Sequence, residues 1–130
     1  MTFIKQPLDE FLGFQHERVN PQQVRIRLPL QPMHINSVGV VHGGVISTLA
    51  DVAMSNLVEA DSAGKQTAVT VDLHMTFIKG AQGKFLVAEA QILKRGKTLM
   101  YGDCVIYDDH HDVVAKAAGT FFMRMTEKEP

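Results

Sequence analysis

The segment 43–60 (GGVISTLADVAMSNLVEA) constrains the fold of this chain more than any other. It predicts a helix with apolar residues on nearly every face, and a helix that is apolar almost all round is buried within a protein. The rest of the chain must therefore form a layer that wraps around it. One charged residue, Asp51, interrupts the apolar pattern.

Strand patterns lie on both sides of this helix in the sequence. Residues 24–30 alternate between apolar and polar side chains, and residues 68–78 do the same, with apolar side chains at odd positions. Three further strands are predicted at 84–94, 98–108 and 113–125, separated by the turn sequences KGAQGK, KRGK and DDHHD. Because these turns are short, we expect strands that are neighbours in the sequence to pair antiparallel.

These patterns predict an α+β fold, in which a five-stranded antiparallel sheet wraps round a long central helix. A short N-terminal helix is expected at 7–14 and a loop at 31–41. A chain of 130 residues suits one domain, predicted to span 1–130. One curved sheet cannot cover every side of the helix, so a second subunit is expected to cover part of it.

Composition argues against several classes of protein. The 13 basic and 14 acidic residues give a net charge of −1, without the basic excess that nucleic-acid-binding domains carry. The single cysteine, Cys104, excludes an intrachain disulfide. No apolar run is long enough for a membrane span, and the first residues do not resemble a signal peptide. We therefore expect a cytoplasmic protein that binds neither nucleic acid nor membranes.

The segment from Asn36 to Gly44 leads into the central helix. Positions 42–44 hold none of the usual N-cap residues, so the first N–H groups of the helix are predicted to lack a local partner. Gly43 and Gly44 also leave the backbone uncovered. Such a helix start suits an anion or a developing oxyanion. The structural alternatives are a simple Gly-Gly turn and, for Asn36, a side chain that only closes a turn.

Asp51 is the candidate catalytic group in the helix itself. A carboxylate in apolar surroundings can act as a general base or as a nucleophile. It follows Gly43 by two turns, roughly 12 Å along the axis. We therefore expect that the two residues do not act together within one subunit, whereas a two-fold interface would bring them close. The structural alternative is an aspartate satisfied by a neighbouring hydroxyl or amide.

Together, the spacing of Asn36, His42, Gly43 and Asp51 and the four strands that follow resemble the hotdog-fold acyl-CoA thioesterases. The likeness is to the branch that includes the phenylacetate-pathway thioesterase, and it extends to TAVTVDLHMTF after the helix and RGKTLMYGD at the third turn. The resemblance implies hydrolysis of an acyl thioester to a free acid and coenzyme A. It also implies active sites at the interface of a homodimer or a homotetramer.

Residue roles follow from this resemblance. Asp51 would be the general base or nucleophile, and Gly43 would donate its N–H to the thioester carbonyl. Asn36 and His42 would hold the carbonyl side of the site, and Thr70 would orient the water. Further substrate contacts would come from Gly44 and from two basic residues that meet coenzyme A from a neighbouring subunit, Arg95 and Lys97. For those two, a solvated hairpin turn is the alternative. The chemistry requires no metal and no cofactor.

Two other functions remain open from the sequence. The first is a hotdog module that binds acyl-CoA without hydrolysing it, and the second is a hotdog dehydratase of 3-hydroxyacyl thioesters, which would depend on His42 rather than Asp51. The residues 108–112 are expected to form a solvated turn rather than a metal site. An acyl tunnel or plain core is predicted for Leu49, Ala53, Met54, Leu57, Met75 and Phe77.

Overall fold

A computed structural model describes residues 2–124 of the chain. Two α-helices, one short 3-10 helix and six strands follow one another along the chain. In order, they are α1 (Pro7–Leu12), β1 (Gln15–Asn20), β2 (Gln23–Pro29), the 3-10 helix (Pro32–His34), α2 (Gly43–Ser55), β3 (Ala68–Phe77), β4 (Phe85–Arg95), β5 (Leu99–Asp108) and β6 (Val113–Met123). The end of the last predicted strand, at residue 125, lies outside the described residues.

The strands form one sheet in the order β1-β2-β4-β5-β6-β3, with every neighbouring pair antiparallel. The sheet therefore has six strands, and the predicted number of five is wrong. The sequence of β1 (QHERVN) is polar on both faces, and neither face of the strand is fully buried. It lies at the edge of the sheet, hydrogen-bonded to one neighbouring strand only, and it buries little on either face. Its sequence therefore has no alternating apolar pattern that would predict a strand.

Strands β3 and β4 do not pair, although the short turn between them predicts a hairpin. β3 pairs with β6, whereas β4 lies between β2 and β5. The connection therefore crosses three strand spacings, roughly 14 Å. The seven residues 78–84 can span about 23 Å when extended. A short connection is thus long enough to cross the sheet. The two predicted hairpins β4–β5 and β5–β6 are present.

Helix α2 packs against one face of the sheet and forms the core with it. Leu49, Ala53 and Met54 are completely buried against sheet residues such as Ile106 and Phe121. The helix is shorter than the sequence predicts, because Asn56 ends it: the Asn56 side-chain amide donates to the carbonyl of Val52 at 2.9 Å. The apolar pattern continues beyond the helix because Leu57, Val58 and Ala60 are buried outside it.

The N-terminal segment is hydrogen-bonded to the C-terminal end of α2 and to the residues that follow it. The N–H of Ile4 donates to Asn56 Oδ1 at 2.8 Å, and the N–H of Ala60 donates to the carbonyl of Thr2 at 3.1 Å. Helix α1 then ends at Gly13, which has a φ of 91° and so adopts the left-handed conformation that favours glycine. No helix within residues 2–124 combines the length and the apolar character that crossing a membrane requires.

Candidate active site

The start of α2 is capped by a residue that the sequence analysis did not consider as a cap. Nδ1 of His42 accepts a hydrogen bond from the Gly44 N–H at 2.8 Å. The prediction of free N–H groups is therefore wrong for Gly44. The Gly43 N–H, in contrast, makes no hydrogen bond within residues 2–124. Because Nδ1 of His42 accepts, the neutral ring carries its proton on Nε2, which is a second available donor.

The loop before α2 is held by Asn36. Its side-chain oxygen accepts hydrogen bonds from the N–H groups of Val38 and Val40 at 3.0 and 3.1 Å. The turn that this closes includes Gly39, which has a φ of 90°. The turn-closing role that the sequence left open is therefore present. The Nδ2 group of Asn36 forms no hydrogen bond with any described residue, so the side chain can also donate to a bound carbonyl.

Asp51 lies on the outward side of α2 rather than in the core. Its side chain is half-buried, and its Oδ1 accepts a hydrogen bond of 2.7 Å from the hydroxyl of Thr70. The carboxylate is therefore not fully buried, in contrast to what the apolar helix pattern predicts. A neighbouring hydroxyl satisfies one of its oxygens, as the structural alternative expects. A hydrogen bond from a neutral hydroxyl leaves the second oxygen of Asp51 available to accept a proton or to attack a carbonyl carbon.

An irregularity in β3 places Thr70 beside Asp51. The pairing with β6 shifts between Thr70 and Asp72, which is a β-bulge at Val71. Before the bulge, Thr70 faces the helix, opposite the buried Phe121; after it, the odd positions face the helix. The regular alternation predicted for residues 68–78 is therefore interrupted, and Thr70 does not share a face with the later even positions. Bulges of this kind commonly redirect a side chain next to a functional site.

The candidate residues fall into two groups within one chain. The first set lies at the start of α2 and comprises Asn36, His42 and Gly43. The second set comprises Asp51, two helical turns later, and Thr70 of β3, which lies beside it. Two turns correspond to roughly 12 Å along the axis. Within one chain, two helical turns therefore separate the two sets of residues. That they act together across a two-fold interface stays a prediction.

The remaining candidate residues range from exposed to completely buried. Arg95 and Lys97 are exposed at the β4–β5 turn, and neither forms an ion pair with another described residue. Among the residues predicted to line a tunnel or the core, the four on or just after α2 are core residues, Met75 is half-buried, and Phe77 is exposed. The Phe77 ring lies against Gly43, 3.5 Å from where a Cβ would project.

The 108–112 turn is built around a buried carboxylate. Asp108 accepts hydrogen bonds from the N–H groups of His110 and Asp112 at 2.9 and 3.0 Å. Lys79 bridges the carboxylates of Asp108 and Asp112 at 3.4 and 3.1 Å. The turn is therefore only partly solvated. Within residues 2–124, no group of three His, Cys, Asp or Glu side chains is arranged to hold a metal ion.

One acidic residue near the site is not predicted from the sequence. Asp9 of α1 is buried, with Gln6 Nε2 donating to its Oδ2 at 3.2 Å. Burial raises the pKa of the Asp9 carboxyl, the hydrogen bond from Gln6 offsets part of the rise, and the charge of Asp51 adds to it. The negative charge of Asp51 therefore lies close enough to Asp9 to disfavour the ionised form of Asp9. No sequence signal marks Asp9, because an aspartate in the first turn of a helix is ordinary.

This architecture is the hotdog fold of thioesterases, and comparison with known proteins assigns the family. The model of the thioesterase superfamily matches residues 38–115, more than half of the chain. The chain therefore belongs to the thioesterase superfamily. The matched region contains every candidate site residue except Asn36.

Several relatives support this assignment. A Pseudomonas aeruginosa protein with a provisional esterase name is 30% identical over 123 residues, covering 93% of this chain and 91% of that protein. Human acyl-coenzyme A thioesterase 13 is 32% identical over 82 residues, covering 62% of this chain and 58% of the human protein. A Bacillus halodurans protein whose crystal structure was determined with CoA superposes with a TM-score of 0.82 at 29% identity, covering 95% of this chain and 82% of that one.

Proposed function

We propose that the protein is an acyl-CoA thioesterase, which hydrolyses an acyl-CoA thioester to a free acid and coenzyme A. The observation that carries the proposal is the Asp51 carboxylate, half-exposed on α2 and held by the Thr70 hydroxyl. Membership of the thioesterase superfamily, and a similar protein that was solved with CoA, support the same substrate class.

The reaction needs a carboxylate beside the line of attack and a donor at the carbonyl oxygen. As general base, Asp51 takes a proton from water while the water oxygen bonds to the carbonyl carbon. The Gly43 N–H stabilises the resulting oxyanion, together with Nε2 of His42 and Nδ2 of Asn36. When the C–S bond breaks, the departing thiolate takes the proton from Asp51, leaving a free acid and coenzyme A.

A second route uses the same groups. Asp51 attacks the carbonyl carbon directly and displaces the thiolate. Water then hydrolyses the mixed anhydride to the free acid and the original carboxylate, and the proton that this step releases neutralises the thiolate. Both routes require an ionised Asp51 and a donor at the oxyanion. Their overall balance is also the same, with one water consumed for each thioester cleaved.

The active site would form between two copies of the chain, with Asp51 of one copy near Gly43 of the other. The two-turn separation of these residues within one chain supports this arrangement. Strand β3 also supports it, because it is a ten-residue edge strand with exposed apolar side chains at Val69, Val71 and Phe77. Arg95 and Lys97 are exposed cations suited to the phosphates of coenzyme A bound at the neighbouring subunit.

The test is the release of free thiol from a panel of acyl-CoAs by the wild type and by Asp51→Asn. We expect Asp51→Asn to lower kcat by about 10²- to 10⁴-fold, the usual contribution of a general base. Asp103→Asn is a matched control, since Asp103 is also half-buried but lies on the opposite side of the sheet. Circular dichroism and molar mass in solution should remain unchanged in both variants.

The same experiment separates the two alternative functions. Full activity in Asp51→Asn would contradict the proposed mechanism. Binding of acyl-CoA by the wild type without release of thiol would favour the binding module. Loss of water from a 3-hydroxyacyl-CoA, with His42 substitutions more damaging than Asp51→Asn, would favour the dehydratase.

A further inference from the structure

Asp9 of α1 is a second carboxyl close to Asp51. The contacts that its chain neighbours make with α2 place it there. The N–H of Ile4 donates at 2.8 Å to the side chain that ends α2, and Leu12 borders the same groove as Thr48, which lies nearer the start of that helix. Because Asp9 comes between Ile4 and Leu12 in the chain, it lies opposite the middle of α2, the part that carries Asp51.

The Asp9 carboxyl is buried without a counter-charge. The residue is 3% exposed, and Gln6 Nε2 donates to its Oδ2 at 3.2 Å. The other oxygen, Oδ1, is also buried and accepts no hydrogen bond within residues 2–124. No lysine or arginine in that range forms an ion pair with Asp9. Since the burial of an unpaired carboxylate is costly, these surroundings favour the protonated, uncharged carboxyl.

His16 of β1 does not supply the missing charge. Its Nε2 lies 4.0 Å from Asp9 Oδ2 and is itself buried without a hydrogen bond to any described residue. Burial lowers the pKa of His16, which disfavours its cationic form. Burial also raises the pKa of Asp9, and the charges of Asp51 and Glu10 add to the rise. The groups that face Asp9 are thus His16, Asp51, Glu10 and, across a cavity of about 420 Å³, Lys5.

We propose that Asp9 and Asp51 work as a carboxyl pair with a single negative charge between them, in which Asp9 is a positioning residue that acts through Asp51. The inference rests on the proposed function. Asp51, half-exposed and bonded to the Thr70 hydroxyl, is the ionised member that takes part in the chemistry. Asp9 stays protonated behind it. Two carboxyls whose surroundings differ in this way take different roles in one site.

The pair predicts how the reaction depends on pH. Negative charge develops on the carbonyl oxygen during hydrolysis, and a second ionised carboxyl close to Asp51 would oppose it. Hydrolysis should therefore slow when the pH rises far enough to ionise Asp9.

The first measurement follows the Asp9 carboxyl directly and needs no substrate. Carbon NMR of the intact protein with labelled aspartate, recorded over a range of pH, gives the midpoint of the Asp9 ionisation, and the loss of the signal in Asp9→Asn assigns it. We expect the midpoint to lie above the ordinary range for aspartate in the wild type. It should fall in Asp51→Asn, because a nearby like charge is removed. Asp103→Asn, on the opposite side of the sheet, should leave it unchanged.

Thiol release measures the effect on the reaction. Asp9→Asn has no charge to gain, so its kcat should not fall where that of the wild type falls. The ratio of variant to wild-type kcat should increase about threefold or more as the pH rises through the Asp9 midpoint, the effect expected of one like charge in partly desolvated surroundings. Glu10→Gln is the control, since Glu10 is exposed next to Asp9 on the same helix. This variant should keep the fall in kcat.

Two results would overturn the inference. One is an Asp9 midpoint that is the same in the wild type and in Asp51→Asn. The other is an Asp9→Asn protein whose kcat keeps a constant ratio to that of the wild type at every pH, which a purely structural role would produce. Absence of thiol release in the wild type would instead contradict the proposed function, and the titration, which needs no substrate, distinguishes the two failures.

Discussion

The direction of the Thr70 side chain depends on an irregularity in the backbone of β3. In a regular strand, positions 70 and 72 would point to the same face, and Thr70 would face away from the helix. The bulge at Val71 turns it towards Asp51, where its hydroxyl donates at 2.7 Å. That hydrogen bond fixes one oxygen of the carboxylate, and it leaves the other oxygen directed away from the hydroxyl.

We predict that Thr70→Val lowers kcat by about 10- to 100-fold, because a hydrogen bond to a charged group contributes about 1.5–3 kcal/mol. Valine has nearly the same shape as threonine but lacks the hydroxyl. Thr70→Ser keeps the donor and should retain most of the activity. Steady-state kinetics on one acyl-CoA would measure both variants. Equal losses in the two would show that packing, rather than the hydroxyl, is what matters at this position.

Among the elements, the second half of α2 is joined to two other parts of the chain through Asn56. The side chain of this completely buried residue accepts the N–H of Ile4 and donates to the carbonyl of Val52. The Asn56 carbonyl accepts a hydrogen bond of 2.7 Å from Arg18 of β1. One asparagine thus ends the helix and attaches both the N-terminal segment and the edge strand to it.

Asn56→Ala is expected to lower the free energy of unfolding by about 1–3 kcal/mol, because the Ile4 N–H would be left buried without an acceptor. Urea denaturation would measure the loss. Asn20→Ala serves as the comparison, since Asn20 makes its side-chain hydrogen bonds in an exposed turn. The free energy of unfolding should fall clearly less in Asn20→Ala than in Asn56→Ala. Similar losses for the two variants would contradict the role assigned to the buried amide.

At the level of the whole molecule, the sheet has two edges with different properties. β1 is short and polar, whereas β3 is long and carries exposed apolar side chains. Long apolar edges tend to pair with another chain, and a lysine at such an edge opposes pairing. The proposed interface of the active site therefore belongs at β3.

Val69→Lys should separate the proposed oligomer and reduce thiol release with it. Val19→Lys is the matched change at the other edge, since Val69 and Val19 are 44% and 42% exposed, and it should leave both properties as in the wild type. Light scattering after size exclusion would measure the molar mass. A Val69→Lys protein that stays associated and active would contradict an interface at β3.

Much of the fold follows from local patterns in the sequence. The apolar faces of α2 and the alternation in β2 reflect burial against a core, so they are visible without coordinates. The family resemblance carried by Asn36, His42, Gly43 and Asp51 is confirmed by the match to the thioesterase superfamily. Their catalytic roles stay predictions.

Other features depend on contacts between residues far apart in the sequence, and only the tertiary structure decides them. Strand β1 has no apolar alternation, because an edge strand buries little on either face. The partners of β3 and β4 depend on how a seven-residue connection crosses the sheet. The bulge that turns Thr70 towards Asp51 requires the register with β6. Local periodicity reports which face of an element is buried, whereas register and strand order are set by the packing of the whole sheet against α2.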